Sequence, residues 1–225
     1  MYNFPAQSLF DISQFAHNQI FNECEGVWEV LSKIGGYLSK VKLGNIAGEV
    51  DPKAYLINPE QITIGRGTVV EAGAYIHGPC IIGEDCEVRF GAYIRGNLIT
   101  GNKCVVGHAT EVKNALFLDG AKAGHFAYIG DSILGNRVNL GAGVKCANFR
   151  LDGKNISLFS HGEKIETHLR KFGAILGDDV HIGCNAVLNP GTIMGKKSGA
   201  HPCLSIRGII AENQIVKMEE AQRVL

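Results

Sequence analysis

Aliphatic residues fall on a six-residue beat from Ile64 onward. Stepping by sixes from Ile64 lands on Val70, Ile76, Ile82, Val88, Ile94, Thr100, Val106, Val112 and Leu118, so nine of ten stations are aliphatic. Four residues past a station the side chain is small at Thr68, Ala74, Cys80, Cys86, Ala92, Cys104 and Thr110, and Gly follows the station at 65, 83, 101 and 107. A period of six drifts around a 3.6-residue helical turn, whereas a short strand and a sharp corner repeat it indefinitely. Self-similarity at a short fixed period marks a solenoid. The pattern predicts a stack of short strands.

Around this ladder the pattern changes. Val27, Val30, Leu31, Ile34 and Leu38 recur at helical spacing beside Trp28, predicting an amphipathic helix broken at Gly35-Gly36, and an earlier short helix is expected over Leu9 to Phe21. Residues 1–45 are thus read as a helical N-terminal cap over the open first coil, whose end would expose unpaired backbone. Val50, Leu56 and Ile62 begin the strand pattern. After Leu118 the beat breaks across Asp119 to Tyr128, which predicts an inserted loop or site, and it resumes at Ile129, Leu134 and Leu140. A second interruption, residues 150–171, carries the turn signals Asp152-Gly153 and His161-Gly162 and reads as a protruding loop or hairpin. The hexad returns at Leu176, Ile182, Leu188 and Met194, so the solenoid is assigned to residues 46–208, with 209–225 a tail of one strand and a short helix.

Composition narrows the class. Twenty-two basic and 22 acidic residues balance, so no overall field draws the chain to nucleic acid or an anionic membrane. No basic n-region with an apolar run opens the sequence and no stretch reaches spanning length, which predicts a cytoplasmic protein. Seven cysteines lack zinc-ribbon spacing and read as small apolar fillers. If three hexads close a coil, Cys86 and Cys104, eighteen residues apart, stack on neighbouring coils.

The hexad [Ile/Val/Leu]-Gly-x-x-[small]-x resembles that of the hexapeptide-repeat transferases. This resemblance implies an all-β fold, a left-handed parallel β-helix with a short helical N-terminal segment. The likeness sharpens at Glu111-Val112-Lys113-Asn114, at Lys122-Ala123-Gly124-His125-Phe126-Ala127-Tyr128-Ile129-Gly130-Asp131, at Val138-Asn139-Leu140-Gly141-Ala142-Gly143 and at Cys146-Ala147-Asn148. These strings, within roughly residues 50 to 205, resemble the acetyltransferase half of the bifunctional glucosamine-1-phosphate acetyltransferase/N-acetylglucosamine-1-phosphate uridyltransferase. The resemblance implies His125 as catalytic base and Asn148 as support for the reacting amine. It places Arg95, Lys113 and Lys171 on phosphate, Tyr128 and Asn139 on sugar, and Ala142 and Cys184 on acetyl-CoA. It implies a homotrimer with sites between prisms, acting on a small amino-sugar phosphate, with no nucleic-acid or membrane partner. Three departures stand out: with only about 45 residues before the solenoid the uridyltransferase half is not expected in this chain, Ala147 is one extra residue before Asn148, and Cys184 stands where bacterial members often carry Ser. The long 150–171 segment looks more like the archaeal sugar-phosphate nucleotidyltransferase/acetyltransferase type.

The chemistry suits these residue types. An amine must be neutral to attack a thioester, and histidine takes a proton near neutral pH without large tuning. A backbone N–H near Leu140 to Gly143 would receive the oxyanion. Thiolate leaves readily, so no metal is expected to be required. Taken singly, each of Arg95, Lys113 and Lys171 is a solvated charge on a prism edge, and His125 is a loop histidine satisfied by backbone. Arg95 and Lys113, eighteen apart, fall one above the other, and with His125 nearby they read together as a phosphate site. His77, His108, His168, His181 and His201 are left as structural, with His108 the one to check. No two histidines lie five apart, which disfavours a zinc hydrolyase of the same fold. The rival readings are a catalytically silent β-helix subunit or scaffold, and a hexapeptide acetyltransferase for another small acceptor. Glucosamine against galactosamine is not legible.

Overall fold

The structure, a computed structural model, describes residues 4–218. It is a left-handed parallel β-helix with a short helical segment before it, as the repeat and its resemblance predicted. The first face is a nine-stranded parallel sheet running from Glu49–Val50 to Ile215–Val216. The second and third faces form one fourteen-stranded sheet, because Glu111–Phe117 and Tyr128–Leu134 run through the corner that separates them. Val70, Ile76, Ile82, Val88, Ile94, Val106 and Val112 all point into the core. Inward alternation with polar outward neighbours is what a wall buried on one side requires.

The period departs from eighteen where the sequence beat breaks. Glu87 pairs with Val105, but Val105 pairs with Lys122 and Lys122 with Asn139, so two successive coils have seventeen residues instead of eighteen. Phe117, not Leu118, is the inward residue there, and Leu118 packs on the outside of the wall. The stretch from Asp119 to Tyr128 is therefore not an inserted loop. It is a regular coil one residue short, which shifts the beat without leaving the stack. Cys86 and Cys104 stack as expected, with the Cys104 N–H donating to Cys86 Sγ at 3.3 Å.

The N-terminal segment lies along the third face and not over the first coil. Helix α1 is Ala6–Leu9 and helix α2 is Val30–Leu38, the latter continuous through Gly35-Gly36. Between them Asn18–Phe21 and Val27–Glu29 are single tight turns, so no helix spans Leu9 to Phe21. The outward residues of the third face, among them Ile81, Ile99, Leu116, Ile133, Ile175 and Ile193, form an apolar stripe buried under Phe10, Trp28, Leu31 and Ile34. Covering a stripe of that length removes far more apolar surface from water than covering one coil end, at about 25 cal/mol per Å².

Residues 150–171 contain a hairpin of Ser157–Ser160 and Glu163–Glu166. His161 and Gly162 both have positive φ, the backbone a two-residue turn demands. Its inner side does not protrude: Ile156 and Leu158 are buried in the third-face cluster. Ile209–Ile210 and Ile215–Val216 continue the stack, and the expected terminal helix falls outside the described residues. Among the described residues no helix is long and apolar enough to cross a membrane.

Candidate active site

The nine predicted residues form two groups, one on each edge of the second face. Arg95, Lys113, Tyr128, Asn148 and Lys171 gather toward the second–third corner. His125, Ala142 and Cys184 lie on the first–second corner, with Asn139 on the first face just before it. The chain turns the second–third corner through Asn97, Asn114 and Asp131, which take φ of 51°, 46° and 48°. Asn and Asp tolerate that left-handed backbone better than other side chains.

At this second–third corner the polar groups form one network. Lys113 Nζ lies 2.9 Å from Asp131 Oδ2, and Asn148 Nδ2 donates to the same oxygen at 2.5 Å. Asn114 Nδ2 donates to Asp131 Oδ1 at 3.0 Å and to the Leu31 carbonyl of α2 at 3.0 Å. Burial pushes the Tyr128 phenol pKa up, opposed by a hydrogen bond from Asn148. Gly130 lies beneath this contact: a Cβ there would sit 2.6 Å from both Asn148 Nδ2 and the Tyr128 hydroxyl. Arg95 reaches over the second face to Glu111 at 2.8 Å, and that hydrogen bond raises the guanidinium pKa. Glu111 is in register with Tyr93 below and Tyr128 above. Lys171 is exposed, bridges Phe149 by backbone, and precedes Phe172, whose N–H bonds the Asn148 carbonyl.

Arg95 and Lys113 stack in successive coils, as their spacing predicted, with the Arg95 N–H bonded to the Val112 carbonyl. Each already has its own carboxylate, Glu111 and Asp131, so no bound anion is needed to hold them together. Among the described residues Lys171 has no ion-pair partner. The sequence reading missed Glu111 and Asp131 as parts of the site. The signal for Asp131 was the seventeen-residue recurrence of Asn97, Asn114 and Asp131, hidden by a search at eighteen.

On the other edge the His125 side chain is exposed and, among the described residues, has no hydrogen-bond or ion-pair partner. His125 is in register with His108, and its carbonyl accepts the Gly143 N–H at 3.0 Å, which sets Ala142 one coil above it. The Ala142 and Cys184 N–H groups find no acceptor among the described residues, while the Ala142 carbonyl accepts from Asn185. This corner therefore offers a free imidazole beneath a column of free amide donors. His108 bonds the Phe90 carbonyl through Nδ1 at 2.8 Å and meets the exposed Phe126 ring edge-on at 5.0 Å, lining the approach to His125. Asn139 is in register with Lys122 and His181 and faces outward.

His125 and Gly130, the residue in register with Lys113, are five residues apart across the corner at Phe126, so they lie at most about 17 Å from one another. Among the described residues no group of three or more His, Cys, Asp or Glu side chains could hold a metal ion.

The family described as the GMPPB C-terminal domain matches residues 76–203. The bifunctional protein GlmU of Methanococcus maripaludis is 35% identical over 205 residues, 90% of this chain and 49% of its own length. A bifunctional sugar-1-phosphate nucleotidylyltransferase/acetyltransferase of Sulfurisphaera tokodaii is 32% identical over 191 residues, 80% of this chain and 46% of its own. The chain spans about half the length of these curated relatives. Among solved structures, the UDP-N-acetylglucosamine acyltransferase of Arabidopsis aligns at a TM-score of 0.41 with 12% identity, over 75% of this chain and 69% of that one.

Proposed function

The chain belongs to the family of the GMPPB C-terminal domain, and from that premise we propose that it is an acetyl-CoA-dependent N-acetyltransferase for an amino-sugar 1-phosphate, glucosamine 1-phosphate first among them. The observation that carries the proposal is the His125 imidazole, without a partner among the described residues, one coil beneath an Ala142 N–H that likewise finds no acceptor among them. The names of the relatives, a sugar-1-phosphate nucleotidylyltransferase/acetyltransferase among them, support the substrate class.

In the proposed reaction the acceptor amine attacks the thioester carbonyl while His125 removes its proton. The Ala142 N–H donates to the oxyanion of the tetrahedral intermediate, a contribution of the kind preorganised donors make. Collapse expels the coenzyme thiolate, which takes the amine's proton from the imidazolium, leaving an amide and a free thiol. Arg95, Lys113 and Lys171 face the phosphate. Tyr128 and Asn139 contact the sugar, Asn148 accepts from the amine, and Cys184 lies along the coenzyme.

The reading includes a homotrimer in which the His125 edge of one copy meets the cationic edge of the next. It also includes a cytoplasmic setting, where acetyl-CoA is made available to the enzyme.

Release of free thiol from acetyl-CoA tests this with a panel of amino-sugar 1-phosphates. Turnover by the wild type and a loss of about 10²- to 10⁴-fold in His125→Ala are expected. Silence toward every acceptor would leave the silent-subunit reading, which the prior pairing of Arg95 and Lys113 with carboxylates favours. Turnover untouched by His125→Ala would keep the enzyme and remove its base.

A further inference from the structure

Asp131 has no role in the reaction as set out above, yet more of the second–third corner converges on it than on any substrate-facing group. Its side chain is 7% exposed. Three side chains donate to its two oxygens: Lys113 at 2.9 and 3.2 Å, Asn114 at 3.0 Å and Asn148 at 2.5 Å. So buried a group does not reach an acceptor lying on the second face. We infer that Asp131 is a positioning residue, which orients the Asn148 amide and anchors Lys113 so that the acceptor amine and phosphate meet preset partners.

The orientation follows from what a carboxylate can do. An amide presents one acceptor and one donor end of nearly equal shape, and only its partners decide which way it faces. Asp131 only accepts, so the Asn148 nitrogen faces it and the Asn148 oxygen faces away. The Tyr128 hydroxyl lies beside the same nitrogen, each 2.6 Å from where a Cβ on Gly130 would sit. Among the described residues Asn148 Oδ1 is then left without a partner, the acceptor an incoming amine N–H requires. The same carboxylate draws Lys113 in from the surface, trading freedom of its long side chain for a fixed charge. Asn114 completes the set and ties Asp131 to the Leu31 carbonyl of α2. The carboxylate is thereby fixed from the side opposite the acceptor.

The inference rests on the acetyltransferase reading, and its test separates the two. Steady-state rates are measured on the full chain with acetyl-CoA and whichever amino-sugar 1-phosphate the wild type turns over. Asp131→Asn is expected to lower kcat at least tenfold with the KM for acetyl-CoA unchanged. In a double-mutant cycle it is expected to add nothing further to the kcat loss of Asn148→Ala, because its effect on kcat passes through that residue, whereas its hold on Lys113 shows in the KM for the sugar phosphate. A merely structural role would add the same factor in both backgrounds. If the stranded Lys113 charge prevents Asp131→Asn from folding, Lys113→Met and Lys113→Met/Asp131→Asn are compared instead, since the double variant holds no unpaired charge and the single one leaves the Asp131 carboxylate its two amide donors, Asn114 and Asn148. A further tenfold loss in the double variant is expected. Equal kcat in that pair, or a full additional loss on top of Asn148→Ala, overturns the inference alone. A wild type inert toward every amino-sugar 1-phosphate overturns the inference and the proposed function together.

Discussion

If the two edges meet between copies, two dead variants should rescue one another. His125→Ala removes the base from one edge, and Arg95→Met removes a cation from the other. Arg95 suits the purpose because its pairing with Glu111 is exposed, with 44% of its side chain open to solvent, so losing it costs at most about 1 kcal/mol of stability. A charge-assisted contact to phosphate is worth about 1.5–3 kcal/mol, so Arg95→Met alone should lose roughly 10- to 150-fold. His125→Ala should lose about 10²- to 10⁴-fold. In a cyclic trimer containing both variants, either as two to one or one to two, a single junction of the three joins an intact His125 edge to an intact Arg95 edge. Particles co-expressed with different tags and isolated through both should therefore recover about one third of wild-type thiol release. If both edges served the same site within one copy, every site would lack one residue. Recovery no greater than that of the better single variant would refute convergence between copies, whatever the chemistry.

Two further predictions test the site and the core. Gly130→Ala places a Cβ 2.6 Å from Asn148 Nδ2 and the Tyr128 hydroxyl; the neighbours must move, at about 1–3 kcal/mol by urea denaturation, and kcat should fall while the KM for acetyl-CoA holds. Wild-type kcat in that variant would show that the Asn148–Tyr128 contact is dispensable. Burial pushes the Cys80 and Cys146 thiols up to about 12 from an ordinary 9.0, so their neutral forms favour the fold. That contribution is whole below pH 9 and disappears as pH rises to 12, so the denaturation midpoint should fall across this window, and less steeply in a Cys80→Ala/Cys146→Ala variant. An unchanged slope would mean that these thiols do not limit alkaline stability.

The prism was legible because inward aliphatics repeat wherever a wall has one wet side, and nothing but a solenoid needs that period. The seventeen-residue coils were not, since dropping one residue at a corner leaves both flanking strands intact while moving every later station. Phe117 and Leu118 are both apolar, so no polar residue marked the slip. The position of the N-terminal segment was legible in principle. Ile81, Ile99, Leu116, Ile133, Ile175 and Ile193 each precede an inward residue on one face only, where the first face has mainly polar side chains such as Glu49, Glu87, Lys122 and Asn139. At the candidate site the residue strings marked His125, Lys113 and Asn148, but not that they lie on two edges, because a resemblance in sequence does not say which residues come from which copy. Asp131 was in plain view within one of the quoted strings, and only coordinates show that three side chains end on it.

The stripe on the third face also orders events as the chain is made. Each coil can settle on the one before it as soon as eighteen or so residues have emerged, since its contacts are with the preceding turn. The segment around Asp11 has no such neighbour: the Asp11 N–H bonds the Asp178 carboxylate, 167 positions later. It is made long before its seat exists, so a nascent chain carries part of the greasy strip uncovered and this segment unplaced until most of the tower stands.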